Sequence, residues 1–380
     1  LNILTIVPSY KPAYIYGGPV RAIASLCESL VEAGHQVTVY TTTANGDLEL
    51  QVEVGKEYLV DGVRVIYFRR VSKGHSNLSP QLLKSLYKNI DRFDIVHIHS
   101  WWNLVTIPSA WICQIKGVTP LVSPRGTLTG YSFTHRWNKV KKIFHTLAGK
   151  RILNNAVLVF TSEREKEEAL RFVDGKAAHV LHNILDLPNR TRDLHRDTPY
   201  MKLLFLGRID PAKNLELLLK VLTSIVELPY ELIIAGEGAQ AYTQKLKQIA
   251  FGFNQIKWIG AVQGEEKYKR LAEADLLVLP SHTENYGNVV FEALSQGTAV
   301  IVSDHVGAKD YIRKMHLGWI VAGGQPEWKE ALINIWKDKA SRDEIRERAP
   351  GFISRDFERN LQIRNYTELY GDHLKEFASR

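Results

Sequence analysis

Cysteine is scarce in this chain, with Cys27 and Cys113 the two examples in 380 residues. Two thiols cannot build a disulfide framework, and each lies in an apolar run of helical spacing. The expectation is therefore a pair of buried, reduced thiols in a reducing, cytoplasmic setting. Long apolar runs are missing as well. Nothing approaches the roughly 20 apolar residues of a membrane-crossing helix. The first apolar stretch stops at Pro8 without a basic flank, which reads as a buried strand rather than a leader. No tandem repeat and no low-complexity tract is present, which excludes solenoids and disordered arrays. Acidic residues are absent from Ile95 to Ser162, a stretch holding Lys116, Arg125, Arg136, Lys139, Lys141, Lys142, Lys150 and Arg151. The formal net charge of +8 is thus unevenly spread. A surface of this kind attracts anions such as phosphates or lipid headgroups. No nucleic-acid-binding motif accompanies it, so nucleic acid is not an expected partner.

What is present suits an ordinary globular chain of two domains: 380 residues, 45% hydrophobic and 24% charged. Short β-branched runs alternate with amphipathic segments, the signature of βαβ units and parallel sheets. The first series of expected strands is 2–7, 36–41, 63–68, 94–98, 119–123 and 156–161. The second begins at Met201 and continues through 231–235, 256–259, 274–279, 298–302 and 318–321. Between them, His182 to Tyr200 is polar and carries Pro188 and Pro199, as a linker does. The expected architecture is α/β, with two tandem Rossmann-like, doubly wound domains, 1–185 and 186–356, facing across a cleft. A final helix over 357–380, apolar at Phe357, Leu361, Ile363, Tyr366, Leu369, Tyr370 and Leu374, is expected to pack back on the first domain. Ligands of such sheets bind outside the carboxyl ends of the strands.

Unusual residues follow five of these strands. Gly17-Gly18-Pro19 precedes a helix, where glycine allows close backbone approach and the helix N-terminus offers N–H groups to an anion, although a plain turn fits too. His99-Ser100-Trp101-Trp102 and Pro124-Arg125-Gly126 follow two further strands. His97 reads as a satisfied core histidine, and the Trp pair as core packing or as a platform for a sugar ring. In Gly207-Arg208-Ile209-Asp210-Pro211-Ala212-Lys213, Asp210 is placed to cap a helix with Pro211 as its first residue, which sets Lys213 in the opening turn. The positive end of a helix disfavours a cation there, so Arg208 and Lys213 make sense together if an anion sits between them. Finally, Glu284 in a loop and Glu292 about a turn into the next helix both point toward one crevice.

These residues resemble the retaining glycosyltransferases of family 4, which have the GT-B fold. The resemblance is carried by Gly207-Arg208 with Lys213, by Gly236-Glu237-Gly238, by Gly260, and above all by Glu284 and Glu292 in SHTENYGNVVFEALSQGTAVIVSD. Pro8-Ser9, Gly17-Gly18-Pro19, Gly34-His35-Gln36-Val37, Asp94-Ile95-Val96-His97 and Ser123-Pro124-Arg125-Gly126 extend it through the first half. The chain departs from the family pattern at Asn214, Asn285, Tyr286 and Ala308, where glycine, glycine, phenylalanine and glycine are common. The resemblance implies that Arg208 and Lys213 hold a donor diphosphate and that Glu292 holds the ribose hydroxyls. Glu284, with the backbone of Asn285, Tyr286 and Gly287, would meet the transferred sugar, beside Asn288 and Val289 at the helix start. Main-chain groups near Ala261 and Val262 would meet the base. Gly236 would line the same donor site, and Gly17 and Gly18 would approach the diphosphate. His99 would lie near the reacting carbon, with Trp101, Trp102 and Arg125 on the acceptor side.

No metal and no cofactor is implied, because the two cations neutralise the leaving group. The implied reaction moves a hexose from a nucleoside-diphosphate sugar, UDP-glucose or a related UDP-hexose, to a saccharide or lipid-linked saccharide in polysaccharide or glycolipid synthesis. A silent nucleotide-sugar-binding partner subunit and a nucleotide-sugar epimerase are the alternatives. A Rossmann oxidoreductase is excluded, since no G-x-G-x-x-G follows the first strand of either half. One segment stands apart: over 136–151, Trp137, Val140, Ile143, Phe144 and Leu147 recur at helical spacing among lysines. That pattern fits a helix lying on the anionic inner face of a membrane, or a core-facing stripe with a solvated basic face.

Overall fold

In the computed structural model, the described residues are all except 73, 75, 131, 133–137, 175–176, 190–197 and 379–380. They form two units, Leu1–Asp186 with Arg359–Arg380, and Leu187–Glu358. The first break thus falls one residue beyond 185, and the last segment rejoins the first unit at 359. Much of the expected linker lies outside the described residues.

The strands of the first unit are β1 (Asn2–Ile6), β2 (Gln36–Thr42), β3 (Ala44–Asn45), β4 (Leu48–Glu49), β5 (Glu57–Val60), β6 (Val63–Phe68), β7 (Ile95–His99), β8 (Leu121–Ser123), β9 (Val157–Phe160) and β10 (Ala178–Val180). Among the described residues its main sheet runs β10-β9-β8-β7-β1-β2-β6-β5. All neighbours are parallel except the β5–β6 pair. The central strands are buried on both faces because helices cover both, and β7 is buried at every residue, His97 and His99 included. Sequence reading missed β5, β10 and the β3–β4 hairpin. They are short, and β5 alternates exposed with half-buried residues at the sheet edge, so no buried apolar run announces it.

The second unit contains β11 (Met201–Leu206), β12 (Tyr230–Ala235), β13 (Ile256–Gly260), β14 (Leu276–Leu279), β15 (Ala299–Ser303) and β16 (Gly318–Val321). Their order is β13-β12-β11-β14-β15-β16, all parallel. This is the doubly wound order, with its reversal between β11 and β14. The first unit reverses likewise between β1 and β7. The chain is therefore α/β with two Rossmann-like sheets.

The last helix, Arg359–Ala378, joins the core of the first unit: Ile363, Tyr366, Leu369 and Tyr370 pack with Ile3, Val37, Ile95 and Leu121. Phe357 departs from expectation. It ends the preceding helix and is buried in the second unit, 4.4 Å from Phe291 and 5.1 Å from Tyr311 between ring centroids. An aromatic pocket offers it more contact than the polar turn leading to Arg359. Both cysteines are free and buried, and burial raises each thiol to about 12.

Candidate active site

Where strand order reverses, the loops leaving the two central strands diverge to opposite faces and open a crevice at their carboxyl ends. In the second unit these are the loops after β11 and β14. Lys213 comes from the first and Glu284 from the second, and Nζ of Lys213 donates to Oε2 of Glu284. Both side chains are largely buried, at 16% and 19% exposure. Arg208 behaves differently: it is 60% exposed, with Nη2 3.4 Å from Oδ2 of Asp210.

Asp210 does cap, accepting from the Ala212 N–H at 2.8 Å. What it caps is a single 3-10 turn, Pro211–Lys213, and not the start of an α-helix. Asn214 follows at φ 53°, in the left-handed region, and the helix Leu215–Leu222 begins only after it. The expectation that Lys213 sits in the opening α-turn is thus corrected, because the left-handed residue breaks the helical path. Its position is explained instead by the Glu284 carboxylate. The same conformation accounts for the departure at Asn214, since glycine and asparagine are the residues that enter this region readily.

Backbone contacts fix the two loops. Gly236 and Gly238 lie so close to the carbonyls of Gly207 and Ile209 that a Cβ on either would collide with them. The pairing of β11 with β12 continues past the strand ends through Gly207 N–H to Ala235 O (3.0 Å) and Ile209 N–H to Glu237 O (2.7 Å). Glu284 is held on both sides, its N–H donating to His305 O (3.1 Å) and its carbonyl accepting from Gly307 N–H (2.9 Å). Tyr286 turns inward and stacks on Phe291 at 4.8 Å, which leaves its main chain for the crevice. Gly287, at φ 86°, caps the helix Asn288–Ser295, whose second residue is Val289. Glu292 on that helix accepts from Lys267 Nζ at 3.0 Å. Sequence reading missed Lys267, which has no motif around it and lies on the helix after β13, Gly264–Glu273. Ala261 and Val262 lie in the turn between β13 and that helix, exposed and half-buried.

The first unit has a parallel arrangement. Gly17, at φ 71°, caps the helix Gly18–Glu32 after β1, and Gly18 is exposed with open space at its Cα. At the end of β7, His97 and His99 lie on one face with ring centroids 4.1 Å apart, both buried. His97 is a satisfied core histidine, bonded to Tyr370 OH and Ser123 Oγ at 2.8 Å each. Burial, with Arg125 nearby, pushes it down to about 3. Burial, with His97 and Arg125, also holds His99 well below the usual imidazole range, so both rings are neutral. Arg125, at φ 55°, is half-buried and donates from Nε to His99 Nδ1 (3.4 Å) and from Nη1 to Asn183 Oδ1.

Of the tryptophans, Trp101 is fully buried in the core and is no sugar platform. Its apolar area is better satisfied among Val105, Leu128 and their neighbours. Trp102 is half-buried, with Lys141 Nζ 5.5 Å from its ring centre. In the basic segment, Arg136 and Trp137 lie outside the described residues. Phe144 turns to the core while Ile143 and Leu147 are 61% and 78% exposed. The apolar stripe therefore splits between solvent and core, just before a π turn at His145–Gly149. Among the described residues no helix is long and apolar enough to cross a membrane.

Comparison with known sequences bears on this geometry. The profile described as Glycosyltransferase Family 4 matches residues 16–188, and that described as Glycosyl transferases group 1 matches residues 189–352. The chain belongs to glycosyltransferase family 4. A D-inositol 3-phosphate glycosyltransferase of Geodermatophilus obscurus is 25% identical over 362 residues, covering 83% of this chain and 77% of its own. Sucrose-phosphate synthase from Thermosynechococcus elongatus has a similar fold, with TM-score 0.76 at 18% identity over 100% of both chains. So has Anabaena Alr3699/HepE in complex with UDP-glucose, with TM-score 0.74 at 17% identity over 98% of this chain and 99% of that one. The fold is thus GT-B, and the family 4 chain is a glycosyltransferase.

Proposed function

We propose that this glycosyltransferase moves a hexose, with retention, from a UDP-sugar such as UDP-glucose to a saccharide or lipid-linked saccharide acceptor. The observation that carries the reading is the Lys213–Glu284 pair at the switch point of the second unit, with Arg208 on the same loop and Glu292 one helix turn on. Breaking a sugar–phosphate bond builds charge on the leaving diphosphate, and fixed cations there stabilise the transition state more than the ground state. Lys213 and Arg208 supply those cations, so the reaction needs no metal. Lys213 is shared between Glu284 and the incoming phosphate, which keeps it placed before the donor arrives. Glu284 and the main chain of Asn285 to Gly287 meet the sugar. Glu292 meets the ribose hydroxyls, the turn at Ala261 and Val262 the base, and Gly17 and Gly18 the diphosphate. His99 lies near the reacting carbon and Trp102 on the acceptor side. Attack comes from the leaving group's own face, with a phosphate oxygen taking the acceptor proton.

The UDP preference is supported by the UDP-glucose complex of the Anabaena neighbour. The exposed Ile143 and Leu147, with exposed Lys139 and Lys142 beside them, support peripheral contact with an anionic membrane where a lipid-linked acceptor would lie. The test is a panel of UDP-, GDP- and ADP-sugars incubated with the protein in EDTA, with nucleotide release and product anomer followed by NMR. Release from a UDP-hexose with retained configuration is expected. Sugar interconversion without an acceptor would favour an epimerase, and tight nucleotide binding with no turnover on any acceptor would favour a silent partner subunit.

A further inference from the structure

Beside the Lys213–Glu284 crevice the second unit holds a cavity of about 430 Å³ whose wall includes neither of those residues. The volume is that of a small-molecule site. Segments following β11, β14, β15 and β16 build it, so it lies at the carboxyl edge where such a sheet takes its ligands. Ser281 lines it, fully buried, and the Ser281 hydroxyl has no hydrogen-bond partner among the described residues. The Ser281 carbonyl accepts from the Ser303 hydroxyl at 2.5 Å, which fixes the residue in place. A buried hydroxyl left unpaired is costly, and a ligand that pairs with it recovers that cost.

The wall favours a neutral ligand. Lys220 is already bonded to Glu216 at 2.7 Å, and Glu216 takes a second cation, Lys245, at 2.8 Å. The other carboxylate of the wall, Asp304, lies 3.6 Å from His305 and repels an anion. The helix Gln325–Lys337 begins at the same wall, but the Gly324 N–H at its start is taken by the Glu327 carboxylate at 2.7 Å, which answers the helix's positive end. Among the described residues no three His, Cys, Asp or Glu side chains gather closely enough to hold a metal ion. What remains are contacts for hydroxyl groups. The Ser281 hydroxyl and the Gln325 amide each donate and accept, the Asp304 carboxylate accepts, and Leu217, Val321 and Trp328 supply apolar wall. A sugar ring matches this mixture, with hydroxyls round its edge and C–H groups on its faces.

We propose that the cavity is a saccharide subsite of the second unit, in which Ser281, Asp304 and Gln325 bind the hydroxyls of one hexose residue apart from the site of transfer. A glycosyltransferase handles saccharides, so this ligand class is at hand, either as a residue of a saccharide chain or as a free hexose. The subsite goes beyond the donor reading and does not depend on which nucleotide the crevice takes.

The test uses the full-length protein labelled with nitrogen-15 in tryptophan, with the Trp328 indole signal assigned through Trp328→Phe. Methyl glycosides of glucose, mannose and galactose, and the three free hexoses, are titrated to about 50 mM with and without UDP. At least one sugar is expected to shift the Trp328 indole with Kd of about 1–10 mM, the range of a small ligand held by a few hydrogen bonds, and equally in both conditions. Ser281→Ala and Asp304→Ala should each weaken that binding by roughly three- to tenfold. Ser281→Ala should leave Tm unchanged, since the hydroxyl has no partner to lose. Binding of the methyl glycosides supports a chain residue as occupant, and binding of free hexoses alone supports a free sugar. The proposal is overturned by no shift with any sugar, by a shift that UDP abolishes, by a shift with inorganic phosphate in place of sugar, or by unchanged affinity in both variants. Absence of transfer from every nucleotide sugar would sink the donor reading and leave this binding test unaffected.

Discussion

Replacing Lys213 by alanine separates the chemistry of the crevice from its architecture. The substitution leaves the Glu284 carboxylate, 19% exposed, without its cation. Breaking a fully buried pair costs about 3–5 kcal/mol. Here both side chains still reach water, so about 2 kcal/mol is expected, or roughly 4–8 °C in the melting of a unit this size. Turnover should fall far more, by about 10² to 10³, the effect of deleting one fixed group that stabilises developing negative charge. Adding Glu284→Gln in the Lys213→Ala background removes the stranded charge. Most of the lost Tm should return, while turnover stays low. Calorimetry on both variants, beside donor-release rates at saturating donor, decides the matter. Near-normal turnover in a well-folded Lys213→Ala protein would refute the assignment of Lys213 to the diphosphate. A double variant no more stable than the single one would refute the pair as the structural tie of the two loops.

Asn214→Gly should be neutral within a few tenths of a kcal/mol, whereas Asn214→Ala should lose about 1 kcal/mol in urea unfolding, because only the alanine is strained in the left-handed region. The buried histidines predict acid sensitivity. Unfolded imidazole binds a proton near pH 6.5, while His97 resists until about 3 and His99 is depressed too. Stability is therefore full above about pH 6.5 and falls as pH drops toward 3, by up to about 1.4 kcal/mol per pH unit per ring; His97→Gln should flatten that slope in pH-dependent unfolding. Ile143→Asp with Leu147→Asp should weaken sedimentation with anionic vesicles about tenfold or more, given about 0.8 kcal/mol for each buried CH₂. Equal binding by the double variant would remove this face from any membrane contact.

The alternation of apolar runs was enough to place the central strands, because β14 and β15 are buried along their length and β7 is buried throughout, even on the face that carries His97 and His99. Edge strands such as β5 carry no such mark. Glu284 and Lys213 were legible as candidates from their loops, yet their direct pairing was not, since 71 residues separate them and only the strand order brings them together. Lys267 and Asn183 were invisible for the same reason. Trp101 could be read two ways because aromatic area serves a core as well as a ligand, and only burial decides between them. The Lys213 turn was misread because a capping aspartate followed by proline opens a 3-10 turn as readily as an α-helix, and the outcome depends on the residue at 214.

The return of the last helix to the first unit also sets an order of completion during synthesis. The second unit is one continuous stretch, Leu187–Glu358, and every strand of its sheet has left the ribosome before the final helix is made. The first unit waits. Its β1 is translated before any of the second unit, but Tyr370, which bonds His97 and helps seal that strand's core, arrives about 360 residues later, tens of seconds at ~5–20 residues per second. Until then that core, already lined by Ile23, Leu26 and Leu30 of the helix Gly18–Glu32, lacks the contribution of Ile363, Tyr366, Leu369 and Tyr370, and the first unit is completed only after the second.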